Sequence, residues 1–189
     1  MDNKIINNTL LGVGRLETLK TLLSNVEHIH AGVVEIGVYK GGSARMLCSS
    51  TKDTVYLIDT YEGLPDANQY DNYHKKGDFN DTSISHVVSV LGELTNYKII
   101  QQIFPYGDTS ELDDMKFKLV HIDVDLYQSV KDCLEYFYPR MVNGGVIILD
   151  DYGAPSCLGA KKATDEFLKD KPETLKPGQE CAVYIVIGE

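Results

Sequence analysis

The chain has 189 residues, 43% hydrophobic and 24% charged, which suits one globular domain with a sizeable core and leaves no room for a second full domain. Its formal net charge of −10 argues against a nucleic-acid partner, which needs clustered Lys and Arg, and no apolar run approaches the roughly 18 residues of a membrane span. Met1 to Lys4 is not followed by a signal-type apolar core, so a cytoplasmic protein without a membrane partner is expected. The cysteines, Cys48, Cys133, Cys157 and Cys181, are widely separated and form no C-x-x-C pair, which reads as reduced thiols rather than zinc ligands or a disulfide framework.

In chain order, residues 1–11 are polar and predict a flexible arm, one able to reach a neighbouring subunit. Leu16, Leu19, Leu22, Leu23 and Val26 follow helical spacing from Gly14 onward. Gly32 to Ile36 then predicts a strand, Gly37 to Gly41 a glycine-punctuated turn, and Ser43 a helix start whose hydroxyl and free amides suit an anion. The spacing is neither G-x-G-x-x-G nor G-x-x-x-x-G-K-[ST], so nothing here is built to wrap a pyrophosphate or triphosphate. The next strand, Thr54 to Asp59, ends in an acid at the distance where doubly wound folds bind ribose hydroxyls, roughly 20 residues past the glycine turn. A nucleoside without a phosphate chain, bearing a carboxylate, fits this pair of features, and S-adenosylmethionine meets that description.

Asp66 to Thr82 is a long polar loop, expected to be an active-site flap with His74, Lys75 and Lys76 as substrate-contact candidates. A helix over Ser83–Leu91 and a strand over Tyr97–Phe104 follow, and the residues before Pro105 are placed beside an adenine. Lys118 to Ile122 is a strand running into Asp123 and Asp125, and Gly145 to Leu149 is a second one running into Asp150 and Asp151. A crossover helix over Tyr127–Tyr138 makes the two strands parallel neighbours, so four carboxylates meet at one sheet edge, where ligands bind in open α/β sheets and where the charge calls for a divalent cation. In an extended segment Asp123 and Asp125 share a face, which puts Asp125 near the metal as a general base. The plainer alternative makes Asp125 the N-cap of the next helix. His121, inside its strand, reads as a core residue or one behind the ligands. A helix over Gly159–Lys169, a loop or short hairpin arm over Lys171–Gln179 and a strand over Cys181–Ile187 close the chain.

Five segments carry a family resemblance: V-V-E-I-G-V-Y-K-G-G-S (33–43), D-T-Y-E-G-L-P (59–65), H-I-D-V-D-L-Y-Q-S-V (121–130), Y-P-R-M-V-N-G-G-V-I-I-L-D-D-Y-G (138–153) and A-K-K-A-T-D-E-F (160–167). Over nearly its whole length the chain resembles the metal-dependent S-adenosylmethionine sugar O-methyltransferases of the macrocin O-methyltransferase type. The resemblance implies the class I methyltransferase, Rossmann-like α/β fold, with a mostly parallel seven-stranded sheet, an antiparallel closing strand and helices on both faces. It implies Mg²⁺ on Asp123, Asp150 and Asp151, with Asp125 as the catalytic base. S-adenosylmethionine would lie among Glu35, Gly37, Tyr39, Gly41, Ser43, Asp59, Thr60, Gln102 and Asp123. The first turn, Glu35 to Ser43, also looks like that of catechol O-methyltransferases. Two departures are visible: a shorter N-terminal part, which leaves some of the lid missing or supplied by another subunit, and Gln101 to Phe104 where the family usually has a glycine.

The expected activity is methyl transfer from S-adenosylmethionine to a hydroxyl of a sugar, glycosylated natural product or polysaccharide, by a homo-oligomer. A catechol-type small-molecule methyltransferase and a non-catalytic S-adenosylmethionine-binding subunit are the alternatives. The polar composition of the 66–82 loop favours the sugar.

Overall fold

A computed structural model describes residues 2–189. Its centre is a seven-stranded sheet: β1 (Gly32–Ile36), β2 (Val55–Asp59), β3 (Tyr97–Gln101), β4 (Phe117–Ile122), β5 (Met141–Leu149), β6 (Lys176–Pro177) and β7 (Val183–Val186). The spatial order is β3-β2-β1-β4-β5-β7-β6; the first five strands are parallel, and β7 and β6 pair antiparallel. The expected fold, including the antiparallel closing strand, is what forms.

Because side chains alternate along a strand, each buried strand feeds two cores. Val33, Val55, Leu57, Leu119, Val146 and Ile148 face the helices α2 (Val13–Asn25), α3 (Gly42–Ser50) and α4 (Ile84–Leu91), where Leu16, Leu19, Leu23, Leu47 and Leu91 are buried. Val34, Ile36, Ile58, Val120, Ile122 and Ile147 face the other way, onto Leu134 and Phe137 of α6 (Tyr127–Phe137) and Ala160 and Ala163 of α7 (Leu158–Leu168). Lys118, which the sequence presents as part of an apolar run, is fully buried at the start of β4, with Nζ 2.6 Å from Asp53 Oδ2 and 3.6 Å from Glu27 Oε2. Among the described residues no helix is long and apolar enough to cross a membrane.

Several segments differ from expectation. The stretch read as an arm forms the short helix α1 (Asn3–Ile6) and packs: Ile5 is buried, the Gly42 amide donates to Asn8 O at 2.8 Å, and Asn8 Oδ1 lies 2.8 Å from His86 Nε2. Strand β3 stops at Gln101, and Phe104 turns inward to stack on Phe137 with ring centroids 5.1 Å apart. A one-turn helix, α5 (Ser110–Asp113), buries Leu112 where no helix was expected.

The loop over 66–82 contains no helix or strand, but it is tied down. Leu64 N donates to Asp78 O at 2.8 Å and Gly77 N to Leu64 O at 2.9 Å. Buried Asp71 accepts from Tyr127 N at 2.9 Å, so it caps α6 in place of Asp125, and a side chain at Gly159 would collide with its Oδ1. Asp71→Ala should therefore lower stability by about 1–2 kcal/mol and speed proteolysis within 66–82. Asp66→Ala, which removes only the exposed pair with Lys76, should change stability by less than about 0.5 kcal/mol. Equal denaturant midpoints for the two variants would mean that the Asp71 cap contributes nothing.

Candidate active site

Strands β1, β4 and β5 end in register, with Ile36 beside Ile122 and Ile122 beside Leu149. Asp123 N donates to Ile36 O at 2.9 Å and Asp150 N to Ile122 O at 3.0 Å, so the first residue beyond each strand is fixed by its neighbour's last carbonyl. This register brings Asp123, Asp150 and Asp151 together, each offering a carboxylate oxygen within 4.8 Å of the others. Asp150 is 1% exposed and Asp151 6%.

These charges are unequal. Burial pushes the Asp150 carboxyl upward, but His121 and then Arg15 outweigh it and hold it below the ordinary carboxylate range. Arg15 Nη1, from α2, pairs with Asp150 Oδ2, and His121 Nε2 lies 3.6 Å from Asp150 Oδ1. On its other side His121 Nδ1 meets Glu35 Oε1 at 3.0 Å, a pair set by the β1/β4 register. Burial opposes the charged imidazole, but Asp150 and Glu35 raise its pKa well above the ordinary histidine value, which favours the charged form. At Asp123 and Asp151 the same cations, His121 for the former and Arg15 for the latter, are outweighed. Burial, followed by Asp150 and Asp151 for the former and by Asp125 and Asp150 for the latter, drives both carboxyls well above their usual range. Three oxygen donors that resist ionisation together are a donor set suited to a hard divalent cation.

Asp125 reaches the site differently from the expectation of an extended D-x-D. The strand ends at Ile122, and Asp125 is the centre of a tight turn with φ of +58°, closed by Leu126 N to Val124 O at 2.6 Å. Such a conformation costs a non-glycine residue about 1–2 kcal/mol and persists only where the surroundings fix it. The fixing bond is Asp125 N to Asp151 Oδ2 at 2.9 Å. The carboxylate is aimed at His74 Nε2, 3.6 Å away, and accepts from Cys157 Sγ at 3.3 Å. Burial raises its pKa, with His74 and the Cys157 bond opposing.

A cavity of about 310 Å³ joins this cluster to the glycine turn. Gly37 has φ of +87°, and a Cβ there would lie 1.7 Å from Asp123 O, so only glycine lets β1 turn this close to β4. Asp59 Oδ2 accepts from Val38 N at 2.7 Å and Tyr39 N at 2.9 Å, and Oδ1 accepts from Tyr61 N at 2.8 Å. The acid thus holds the two turns together as well as facing the cavity. Gly37, Tyr39, Ser43, Asp59, Thr60, Gln102, Asp123, Asp125 and Asp151 all border the cavity. Glu35, Gly41 and Asp150 do not: Glu35 and Asp150 face His121, and Gly41, with φ of +86°, starts α3. Gln102 borders the cavity, but its Oε1 is buried without a hydrogen-bond partner against Gly107, where a Cβ would lie 2.0 Å from it.

Of the loop candidates, His74 borders the cavity, while Lys75 and Lys76 are exposed. From the loop Phe79 joins His74 on the wall, beside Leu64 and Pro65 just before it, so the polar composition of the loop does not discriminate between acceptors. Arg15 and Cys157 were missed. Neither carries a local signal, since Arg15 lies 135 positions from Asp150 and Cys157 lies 83 from His74.

The sequence profile of the macrocin-O-methyltransferase (TylF) family matches residues 1–177. An 8-demethyl-8-(2,3-dimethoxy-alpha-L-rhamnosyl)-tetracenomycin-C 4'-O-methyltransferase from Streptomyces olivaceus is 26% identical over 178 residues, 82% of this chain and 66% of its own length. Demethyldecarbamoylnovobiocin O-methyltransferase from Streptomyces niveus is 28% identical over 179 residues, 84% of this chain and 67% of its own length. The chain therefore spans about two thirds of the length of these relatives. Among solved structures, the O-methyltransferase NovP superposes with a TM-score of 0.85 at 25% identity, covering 96% of this chain and 83% of NovP.

The electrostatics give a signed prediction. Asp123 titrates higher in the native state than in the unfolded chain, so its favourable contribution is present at acid pH and is lost as pH rises past the unfolded value, about 3.9, and through the raised native one. In metal-free buffer with chelator, Asp123→Asn should be more stable than the parent at pH 7, by on the order of 1–3 kcal/mol, with the gain shrinking toward pH 4. Thermal melts across that range check it; a less stable variant at pH 7 would contradict the charge assignment.

Proposed function

The chain belongs to the macrocin-O-methyltransferase (TylF) family and has the class I methyltransferase fold, and from that premise we propose that it is a Mg²⁺-dependent O-methyltransferase using S-adenosylmethionine. The observation that carries the reading is one cavity bordered both by the Gly37 turn and Asp59 and by Asp123, Asp151 and Asp125. Asp123, Asp150 and Asp151 would hold the cation, and Gly37, Tyr39, Ser43, Asp59, Thr60 and Gln102 would hold the cofactor. When bound, Mg²⁺ stabilises negative charge on an ionising hydroxyl and S-adenosylmethionine supplies the electrophilic methyl group.

The protein's own residues have separable tasks. Arg15 and His121 hold Asp150 ionised, so one ligand is ready before any cation arrives. Asp151 positions Asp125 through the backbone amide. Asp125 takes the hydroxyl proton, and its raised pKa makes it a stronger base than an exposed aspartate. Cys157 holds Oδ1 of that carboxylate, which leaves Oδ2 for the proton. Leu10, Leu11, Leu64, Pro65 and Phe79 on the wall exclude water and suit an apolar body. That wall favours a sugar hydroxyl presented by a glycosylated small molecule over one in a polysaccharide. The same wall supports a catechol-like acceptor as the second reading.

Calorimetry should detect S-adenosylmethionine binding, and a methyl-transfer screen should give turnover only with Mg²⁺, on glycosylated aromatic compounds before free sugars or catechols. No cofactor binding in either condition would sink the proposal, as would binding without transfer to any hydroxyl acceptor. Asp125→Asn should keep cofactor binding and the Mg²⁺-induced thermal shift but lose about 10²–10⁴-fold in kcat. Undiminished kcat would remove Asp125 as the base.

A further inference from the structure

The carboxylate trio is not the only group of ligating atoms on the cavity wall. His74 Nε2, Asp125 Oδ1 and Cys157 Sγ form a second cluster. The thiol lies 3.3 Å from the carboxylate oxygen and 3.6 Å from the imidazole nitrogen, and nitrogen and oxygen are 3.6 Å apart. Bond lengths of about 2.0–2.3 Å around a tetrahedral Zn²⁺ require ligand atoms about 3.3–3.6 Å from one another. The cluster thus has the triangular face of such a site. We propose that His74, Asp125 and Cys157 bind a borderline divalent cation of the Zn²⁺ type, with the fourth position open to the cavity.

The ligand set argues for that class of ion. Thiolate and imidazole select Zn²⁺ and its neighbours, whereas Mg²⁺ takes hard oxygens, so the two clusters suit different metals although they share a cavity. The surroundings match as well. Asp78 Oδ2 lies 3.7 Å from His74 Nδ1, a carboxylate behind the imidazole of the kind that orients metal-bound histidines. Ser156 Oγ lies 3.4 Å from the sulfur.

Each ligand comes from a separately anchored segment. His74 sits in the loop tied down through Asp71 and Asp78, Asp125 in the tight turn held by Asp151, and Cys157 at the N-cap of α7. All three side chains are largely sheltered, His74 and Asp125 at 14% and 18% exposure and Cys157 at 3%. On binding, the sulfur–metal bond forms as the thiol proton passes to solvent. The reading of the cysteines as ordinary thiols rested on spacing in the chain, and this grouping depends on the fold.

A cation here occupies Asp125. If Asp125 is the base, as the proposed function has it, Zn²⁺ inhibits transfer even when Mg²⁺ is saturating. The binding itself does not depend on that assignment, so the two are tested apart.

Co²⁺ is the probe, titrated into the full chain in excess Mg²⁺ and followed by absorption. One equivalent should produce a thiolate-to-cobalt charge-transfer band and the intense visible bands of a tetrahedral site, and Zn²⁺ should bleach both. Cys157→Ser should abolish the charge-transfer band, and His74→Gln should weaken Co²⁺ binding at least about tenfold. Cys181→Ser, which alters another thiol on the wall, should leave the spectrum unchanged. The absence of a charge-transfer band in the parent protein, or a band that survives Cys157→Ser, would overturn the site. Spectral saturation with Zn²⁺-insensitive turnover would uphold the site and remove Asp125 as the base.

Discussion

The constraint on which this structure depends is the crowding of like charge where β4 and β5 leave the sheet. Asp123, Asp150 and Asp151 are brought together by strand register, which the core sets and the site has to accept. Asp150 is the one of the three whose partners outweigh burial: Arg15 and a buried His121 that is itself balanced by Glu35. The compensating groups come from α2, β4 and β1, so satisfying one carboxylate ties three elements together. Asp123 and Asp151 remain the expensive members of the cluster, and that imbalance is what the proposed cation would relieve.

Much of the fold was legible because its signals are local. Continuous apolar runs ending in acids gave β4 and β5, and a glycine turn followed by a strand ending in Asp59 gave β1, α3 and β2. The final strand β7 was visible as an apolar run, whereas the segment that holds β6 read as a loop or short hairpin arm. Where local signals mislead, the cause is tertiary. Lys118 belongs to an apolar run by position, yet its charge is met by Asp53 and Glu27 from other segments. Phe104 has strand propensity and is pulled off β3 by Phe137.

The site was legible in part for the same reason. The D-x-D and D-D pairs announce their strand ends, but the two-residue spacing says nothing about the tight turn that aims Asp125. Glu35 was expected around the cofactor from the family resemblance, and only the register with β4 shows that it faces His121. Arg15, His74 and Cys157 lie in segments with unrelated patterns, and no spacing rule connects them to the aspartates. Composition also misdirects: Lys75 and Lys76 of the 66–82 loop are exposed, while Phe79, with Leu64 and Pro65 just before the loop, meets the cavity.

The guanidinium of Arg15 has three commitments. Nη1 pairs with Asp150, Nε lies 3.3 Å from Glu180 Oε2, and Nη2 donates to Leu10 O at 2.9 Å, at the apolar wall formed by Leu10 and Leu11. Whatever changes the negative charge that Asp150 presents changes the grip on Leu10 in the same event. With Asp150 as a ligand of the proposed cation, the segment around Leu10 and the ion would be thermodynamically linked, and by reciprocity whatever displaces that segment would alter the affinity for the ion. A single side chain, placed near the start of the chain, sets the size of that linkage.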